Sequence, residues 1–394
     1  MNSQQTSLLS VSLTILMAMA VGISVASNYY AQPLLYSITQ DLHISMDNSG
    51  IIVTTAQFSY ALGLLFVAPL GDKIERKKLI IILMLLTTSG LIISALAYSQ
   101  LMLIIGTAIA GIFSAVAQVL IPFSATLAQP NQRGKVVGIL MSGMLLGILL
   151  GRTFAGAIST MVDWRMVYWA AAGIMCFTTL LLCCALPRYS NKSTINYWKL
   201  IFSIFGLFYQ ERVLRIRALI GGIAFALFSL LWTPLAFLLS SKPYHFTDMI
   251  IGLFGLAGAA GAMGSPIVGK LSDKGKGVLV TSIGLILLLL SWVPLSLAQL
   301  SIIALVIGVI LIDFAVQVTH VSCLNAIYQG QAEIRTRMNA GYMLSYFTGG
   351  MLGSFSSTYL FAHYGWLAVV IAGSSLAALG ILIWIFYLKT NHPK

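Results

Sequence analysis

The sequence has few charged residues, and most of those are of one sign. Only 8% of its 394 residues are Asp, Glu, Lys or Arg, with 10 acids against 22 bases. Hydrophobic residues make up 59% of the chain, and the mean hydropathy is +0.94. A soluble domain needs more polar surface than this composition can supply. The chain is therefore predicted to be an integral membrane protein.

The sequence also lacks the motifs of several enzyme classes. Its four cysteines lie inside apolar runs and show neither disulfide nor zinc spacing. No G-x-x-x-x-G-K-[ST] phosphate loop is present, so energy from nucleotide hydrolysis is not expected. None of the five histidines shares a helix face with a second metal ligand or a nucleophile. We therefore expect no cofactor, no metal and no enzymatic activity.

Long apolar runs recur along the whole chain, with short polar breaks between them. Each is close to the roughly 20 residues that cross a bilayer as a helix. Helices are expected because open strands would leave backbone groups unpaired in lipid, and a β-barrel would need shorter, alternating segments. The twelve predicted spans are 8–28, 48–69, 79–98, 102–125, 136–158, 165–186, 217–239, 249–268, 278–297, 301–324, 339–360 and 366–388.

The cations are sorted between the two sides of this predicted bundle. With the N-terminus placed inside, nineteen of the 22 Lys and Arg residues fall on the inner side, only Arg165 and Lys242 fall on the outer side, and Arg152 lies within a span. The positive-inside rule then places both termini in the cytoplasm, in a membrane of the bacterial inner-membrane type. The net charge of +12 is thus explained by topology and contact with membrane lipid, and no nucleic-acid partner is expected.

An internal repeat divides the chain into two halves. Asp72 and Pro33 match Asp273 and Pro234 at an offset of 201 residues, and the glycine pattern of the fifth span recurs in the eleventh at an offset of 202. The predicted organisation is a six-helix half over 1–186, a linker over 187–216 and a second six-helix half over 217–394. The linker contains WKLIFSIFGLFYQERVLRIR, which is typical of an amphipathic helix on the inner leaflet or of a simple connector.

Two loops and one helix resemble motifs of the major facilitator superfamily. APLGDKIERKK (68–78) resembles its signature loop, GKLSDKGKG (269–277) resembles the degenerate second copy, and GILMSGMLLGILLGRTFAG (138–156) resembles the glycine-rich motif of its drug and proton antiporter branch. The sequence departs from these patterns at Arg152, where the branch has proline, at Thr107, where it has a basic residue, and at Ala68 and Glu75, where the signature loop has glycines. The resemblance implies a twelve-helix major facilitator fold that works by alternating access.

The signature-like loop is predicted to act as a conformational latch. Asp72 follows a helix end and is expected to face the positive N-terminal end of a helix in the other half. Its neighbours Lys73 and Arg76 are expected to pair with acids or anionic lipid, and Asp273 is the counterpart of Asp72. The plainer explanation is a charged loop that only fixes topology.

Six glycines are predicted to pack helices closely, in the small-xxx-small manner of membrane bundles. We expect four of them to lie at the seam between the halves, namely Gly147, Gly151, Gly349 and Gly353. The other two are Gly143 and Gly156.

Arg152 and Asp313 are the two charges predicted to lie deep in the membrane. Ionisable residues there are costly and are functional candidates by default. Arg152 is expected roughly 9 Å, and Asp313 roughly 18 Å, from the outer ends of their helices, at about 1.5 Å per residue. The hypothesis is that Arg152 binds an anionic group or tunes Asp313, which would carry the coupling proton. The alternatives are a structural ion pair or an arginine that snorkels outward.

Further polar and aromatic residues are expected to converge on a site for a mid-sized organic compound. Gln317 and His320 follow Asp313 on one helix face, at i+4 and i+7. His320 is a second candidate for proton coupling, or else a hydrogen-bonded structural residue. The candidate substrate-binding residues are Arg152, Tyr29, Tyr30, Gln32, Gln118, Trp232, Gln317, Tyr342 and Tyr346.

Three classes of function fit a polytopic membrane protein. A secondary transporter is favoured, because an intramembrane enzyme would need a catalytic cluster and a receptor would need a soluble output domain. The predicted activity is proton-coupled efflux of a small organic compound, drug-like or a metabolite, by a monomer. Arg152 indicates that this compound can be anionic. Proton-coupled uptake by symport is the alternative.

Overall fold

A computed structural model describes residues 10–129, 132–189, 197–262, 271, 275–329 and 334–391. All regular structure in this part of the chain is helical, which confirms the predicted all-helical fold. Several helices begin at a polar side chain that accepts a hydrogen bond from a free backbone N–H in the first turn, as Ser10, Ser99, Asp163 and Ser301 do.

The described residues of the first half form eight helices before the linker. They are α1 (Val11–Ala26), α2 (Ala31–Asp41), α3 (Met46–Leu62), α4 (Arg76–Ala95), α5 (Gln100–Phe113), α6 (Ala117–Leu127), α7 (Arg133–Met161) and α8 (Trp164–Ala185). A π-helical segment and a 3₁₀ segment extend α3 from Gly63 to Asp72. A 3₁₀ turn joins α5 to α6.

The described residues of the linker and the second half form eight further helices. They are α9 (Tyr197–Gln210), α10 (Arg212–Trp232), α11 (Leu235–Ser240), α12 (Asp248–Ala262), α13 (Gly277–Leu290), α14 (Trp292–Ser296), α15 (Ile302–Tyr328) and α16 (Arg335–Asn391). Gly365 interrupts α16 with φ 74° and ψ −173°. This conformation favours glycine, and it divides α16 into two arms.

The described helices are consistent with the predicted spans. Nine helical segments of the described chain are long and apolar enough to cross a membrane, and a tenth counts if α1 and α2 form one bent span. The two arms of α16 correspond to two predicted spans. The predicted eighth span begins as α12 and continues into residues outside the described part.

The first span is longer than the sequence predicts. Instead of ending near residue 28, the chain bends by 42° between α1 and α2 and continues as helix to Asp41. Pro33 lies in the first turn of α2, where proline is tolerated because no N–H is needed there. Its repeat counterpart, Pro234, lies at the break between α10 and α11. Residues 29–32 therefore lie at a break within the span instead of at its end.

The repeat also appears in backbone conformation. His43 follows α2 with φ 51°, and His245 lies beyond α11 with φ 49°. The two positions are 202 residues apart, and the left-handed conformation that both adopt normally favours glycine or asparagine after a helix. The two halves therefore share this turn as well as the helix order.

The halves contact one another closely at one end of the bundle. We call the end with Lys73 and Arg337 the basic end. The close contacts are at the other end, near Asp41 and Asp248, which we call the opposite end. At the opposite end α7 crosses α12 and α3 crosses the first arm of α16. A Cβ on Gly156 would lie 2.2 Å from the backbone oxygen of Asp248, so glycine is needed at this crossing.

Most of the predicted packing glycines lie within a half, not at the seam. Gly147 packs on α1, where its Cβ would be 2.1 Å from the backbone oxygen of Gly22, and Gly143 and Gly151 also face α1. Gly349 and Gly353 pack on α10 in the same manner. The predicted seam location of Gly147, Gly151, Gly349 and Gly353 is therefore wrong, because small residues indicate a close neighbour without identifying it. Gly156 contacts the other half.

The linker helix α9 spans the halves at the basic end. The Tyr197 hydroxyl donates to the backbone oxygen of Phe66 at 2.6 Å, which links α9 to the first half. Ile204 is buried beside Leu65 of the first half and Ala340 of the second. Along its outer face α9 exposes aromatic side chains, including Trp198, as expected for a helix at a membrane surface.

Candidate functional site

A central cavity of about 270 Å³ lies between the two halves. Its wall is mostly aromatic and apolar, with Arg152, Asp313 and His320 as its ionisable residues other than tyrosine. From the first half it is lined by α1, α3, α6 and α7, and from the second by α10, α12, α15 and α16. A space of about this size, with a few polar groups in an apolar wall, suits a small organic compound.

Arg152 is held by α7 beside this cavity and is 1% exposed. Its Nε–H donates to Gln32 Oε1 at 2.8 Å. Its guanidinium carbon lies 4.0 Å from the centroid of the Trp232 ring and 5.1 Å from that of Tyr29, distances that favour cation–π attraction. A snorkelling arginine would expose its charged group, so the burial argues against that alternative.

One nitrogen of this guanidinium has no partner among the described residues. Arg152 Nη2 is buried without a hydrogen bond, as is the side-chain nitrogen of Gln32. Buried donors are normally satisfied, and an unpaired one costs free energy. Because Arg152 borders the cavity, a compound that draws this side chain toward it would supply the missing acceptor.

Asp313 lies on α15 and is 6% exposed. Its Oδ1 accepts a hydrogen bond from the Trp232 indole N–H at 3.0 Å. Its Oδ2 faces Gly258 on α12, where an added Cβ would lie 2.0 Å from that oxygen. The Trp232 indole therefore holds the carboxylate in place, and Gly258 leaves the space that it occupies.

Arg152 in the first half and Asp313 in the second line the same cavity across the seam. The ion pairs of the described residues do not include a direct bridge between them; instead, Trp232 contacts both, stacking on the guanidinium and donating to the carboxylate. This arrangement therefore argues against the alternative of a direct structural ion pair between Arg152 and Asp313.

The remaining predicted site residues divide between the cavity wall and the layer behind it. Tyr29, Gln118, Gln317, His320 and Tyr346 line the cavity. Tyr346 also stacks on Phe225, with 4.2 Å between ring centroids.

Four predicted residues lie behind the wall. Gln32 and Trp232 hold Arg152 and Asp313, as described above. Tyr342 is fully buried and its hydroxyl lies 2.9 Å from His320 Nδ1. Tyr30 packs on Phe154, with ring centroids 6.2 Å apart. These four residues are placed to orient the wall, and the wall residues are placed to touch a compound.

A larger cavity of about 740 Å³ lies at the basic end and leads to the central one. The two share Gln118 and Met343 in their linings. The Gln118 side-chain amide donates to the Tyr60 hydroxyl at 3.4 Å, which places polar groups at the junction. In the described part of the chain, the halves thus line a space at the basic end and contact one another at the opposite end.

The predicted latch is described only in part. Lys73 lines the larger cavity. Arg76 Nη1 donates to Thr126 Oγ1 of its own half at 3.1 Å, and its guanidinium lies 5.6 Å from the ring of Tyr189 at the start of the linker. The side chain of Asp72, and Asp273 as a whole, lie outside the described residues.

Two buried charges were not predicted as such. Arg217 counts as a loop cation in the sequence, yet it is 6% exposed on α10 and its Nη1 donates to Thr281 Oγ1 at 2.6 Å. Asp248 lies at the edge of a predicted span, and it is 8% exposed between the halves. Hydropathy indicates where a span ends but not which residues near that end are covered by neighbouring helices.

These features define a class of protein: an all-helical membrane bundle of two similar halves around a central cavity. The family model of the Major Facilitator Superfamily matches residues 17–333. The chain therefore belongs to this superfamily of membrane transporters.

Individual proteins extend the comparison. The chain is 48% identical, over 376 residues and 95% of each chain, to the "Uncharacterized transporter YgaY" of Escherichia coli O157:H7. It is 27% identical, over 255 residues and 61% of each chain, to a "Probable sugar efflux transporter" of Helicobacter pylori strain G27. A solved bacterial homologue of the human lysosomal transporter Spinster, inward-facing and occupied, matches with a TM-score of 0.79 at 13% identity, covering 96% of this chain and 97% of that one. At that identity the likeness concerns the fold alone.

Proposed function

We propose that this transporter exports a small organic compound in exchange for protons, with Asp313 as the proton-binding group. The observation that carries the proposal is a buried carboxylate in the wall of the central cavity, held by Trp232 and opposite the fixed charge of Arg152. Ionisable groups at such positions in membrane bundles serve as sites for protons or substrates.

The proposed exchange rests on competition for one carboxylate. A compound in the cavity would donate a hydrogen bond to ionised Asp313, which lines the cavity. A proton that binds there removes the negative charge and weakens that bond, because hydrogen bonds to charged groups are the stronger ones. Compound and proton would then occupy the site alternately, as antiport requires. The likeness to a probable sugar efflux transporter of Helicobacter pylori supports the direction.

Uptake by symport is the second candidate, and the unpartnered Nη2 of Arg152 favours it. An anionic compound would pair with the guanidinium and repel the negative charge of Asp313, so that it would bind best when Asp313 carries a proton. Anion and proton would then move together. The charge of the compound thus decides between exchange and symport in the same cavity.

The test is transport by the purified protein in liposomes with an internal pH indicator and an imposed gradient of one compound at a time. The panel should include dyes, antibiotics, sugars and organic acids. Antiport predicts proton movement opposite to the compound, and symport predicts movement in the same direction. Compound flux without any proton movement would contradict both.

Asp313→Asn should abolish the proton movement while the protein still folds. The matched control is Asp47→Asn, which removes an acid that is not buried, at the opposite end. Uphill transport by Asp313→Asn, at the level of the control, would remove Asp313 from the coupling role. Loss of coupling in both variants would show that the effect is not specific to the cavity.

The other predicted properties belong to the same proposal. The protein acts as a monomeric transporter without enzymatic activity, in a membrane of the bacterial inner-membrane type, and the basic end with both termini faces the cytoplasm. The proposed latch of Asp72, Lys73, Arg76 and Asp273 keeps its role at that end. Cysteine labelling of intact cells with an impermeant reagent tests the orientation, since only cysteines at the opposite end should react.

A further inference from the structure

The opposite end contains a buried carboxylate that the central site does not use. Asp248 is the first residue of α12, in the second half, and is 8% exposed. Its Oδ2 accepts two hydrogen bonds of 2.6 Å, one from the Ser37 hydroxyl on α2 and one from the Ser159 hydroxyl on α7. Both serines belong to the first half, so both bonds cross between the halves.

Two further hydrogen bonds join α7 and α12 at the same crossing, each between a threonine side chain and a backbone group. Thr160 Oγ1 accepts a hydrogen bond from the backbone N–H of Met249 at 2.9 Å. Thr153 Oγ1 donates to the backbone oxygen of Gly252 at 3.1 Å. The crossing of α7 and α12 therefore has polar links over two helical turns, and Asp248 lies at its outer limit.

Asp248 has no ion-pair partner within the described part of the chain. A buried carboxylate without a cation loses hydration, and hydrogen bonds must replace it. Here the two serine hydroxyls are the side-chain donors. If the halves separate at this end, water reaches the carboxylate and replaces both serines, so the two bonds directly favour the closed arrangement over the open one.

The repeat provides a comparison within the molecule. Asp47 is the counterpart of Asp248 at an offset of 201 residues, and it lies near the start of α3. At the equivalent crossing, Thr358 Oγ1 donates to the backbone oxygen of Asp47 at 3.3 Å. The carboxylate of Asp47 instead accepts from the backbone N–H of the next residue, Asn48. Of the two equivalent crossings, the one at Asp248 is held by a side-chain carboxylate.

We propose that Asp248, Ser37 and Ser159 form a carboxylate–hydroxyl clamp that holds the opposite end closed and opens once in every transport cycle. The clamp acts on the conformational equilibrium and does not touch the compound. The proposal does not depend on the identity of the compound, on the coupling ion or on the direction of net transport. Its failure and the failure of the proton-exchange proposal are therefore separate outcomes.

The first test measures the distance between spin labels at the opposite end. Val162 in the first half and Leu300 in the second are 63% and 85% exposed, and they can be changed to cysteine in a variant whose four native cysteines are replaced. The unmodified clamp should give mainly a short distance. In Ser37→Ala/Ser159→Ala, the ratio of short to long distances should fall about a hundredfold, or about tenfold for each of the two hydrogen bonds to a charged group that are lost.

Two controls accompany this measurement. Thr39→Val removes a hydroxyl of α2 that bonds only within its own helix, and Asp47→Asn removes the counterpart carboxylate. Both should keep the unmodified ratio. An unchanged distance distribution in a folded Ser37→Ala/Ser159→Ala variant would overturn the proposal.

The second test joins the two halves covalently instead of removing the hydrogen bonds between them. Because the side chains of Ser37 and Asp248 touch, Ser37→Cys/Asp248→Cys should be joined by oxidation or by a short thiol cross-linker. Cross-linking should stop transport, and reduction should restore it. Transport that continues in fully cross-linked protein would show that this contact does not open during the cycle, and the clamp would be rejected.

Discussion

The indole N–H of Trp232 should set the proton affinity of the coupling carboxylate. It is the described donor to Asp313, at 3.0 Å. Trp232→Phe removes that donor and keeps an aromatic ring beside Arg152, which Trp232 contacts at 4.0 Å. The change therefore acts on the carboxylate more than on the packing of the cavity wall.

The expected magnitude follows from the hydrogen bond that is lost. A hydrogen bond to a charged group contributes about 1.5–3 kcal/mol, and about 1.36 kcal/mol corresponds to one pH unit. The donor stabilises the ionised carboxylate, so its removal favours the protonated form. The pH at which proton-coupled transport is half-maximal should then move upward by about 1–2 units.

The assay is initial transport rate in liposomes over a range of symmetric pH values, for the unmodified protein and the variant. The matched control is Trp292→Phe, because the indole nitrogen of Trp292 is buried without a hydrogen-bond partner in the described chain. It should leave the profile in place even if stability falls. An unshifted profile for a folded, active Trp232→Phe would refute the role of this hydrogen bond.

Three further predictions concern the cavity and the helix packing. Gly258→Ala places a Cβ against the Asp313 carboxylate and should abolish compound-driven proton movement with little change in melting temperature; normal coupling would contradict the fixed carboxylate. Arg152→Lys should weaken compound binding by about tenfold, since an ammonium cannot reproduce the planar donors, each worth about 1.5 kcal/mol or more when charged; unchanged affinity by fluorescence titration would remove Arg152 from the site. Gly349→Ala should lower the melting temperature through overpacking that costs about 1–3 kcal/mol, whereas Gly173→Ala, where an added Cβ meets nothing within 4 Å, should not; equal melting temperatures would contradict the close packing.

The sequence determines much of the fold through local signals. Hydropathy locates each span because every span must match the bilayer by itself. The repeat at offsets of 201 and 202 identifies the two halves without any contact between them. Arg152 and Asp313 are identified in the same way, since a charge inside an apolar run is costly wherever its helix lies.

The arrangement of the site depends on helix rotation and on partners distant in sequence. The sequence predicts Trp232 as a substrate-binding residue, but the structure places it behind the cavity wall, in contact with both Arg152 and Asp313. Tyr342 shares a helix with Tyr346, yet only Tyr346 lines the cavity. A helical pattern gives the spacing of such residues, while packing decides which side of each helix faces the cavity.

Asp248 shows the same limit at the membrane surface. An acid at the edge of a span is unremarkable in sequence, because loops normally carry such residues. Its burial comes from α2 and α7, which are more than 80 residues away along the chain. The seam location predicted for Gly147 failed for a related reason, since its close neighbour is α1 in its own half.

The most direct test of the central claim is proton release on binding, measured with a pH indicator in weakly buffered solution of the purified protein. Near the pH of half-maximal transport, addition of a transported compound should release protons from the unmodified protein. Asp313→Asn should bind the same compound and release none. Compound binding that releases no protons from the unmodified protein, or that takes protons up, would contradict exchange at Asp313.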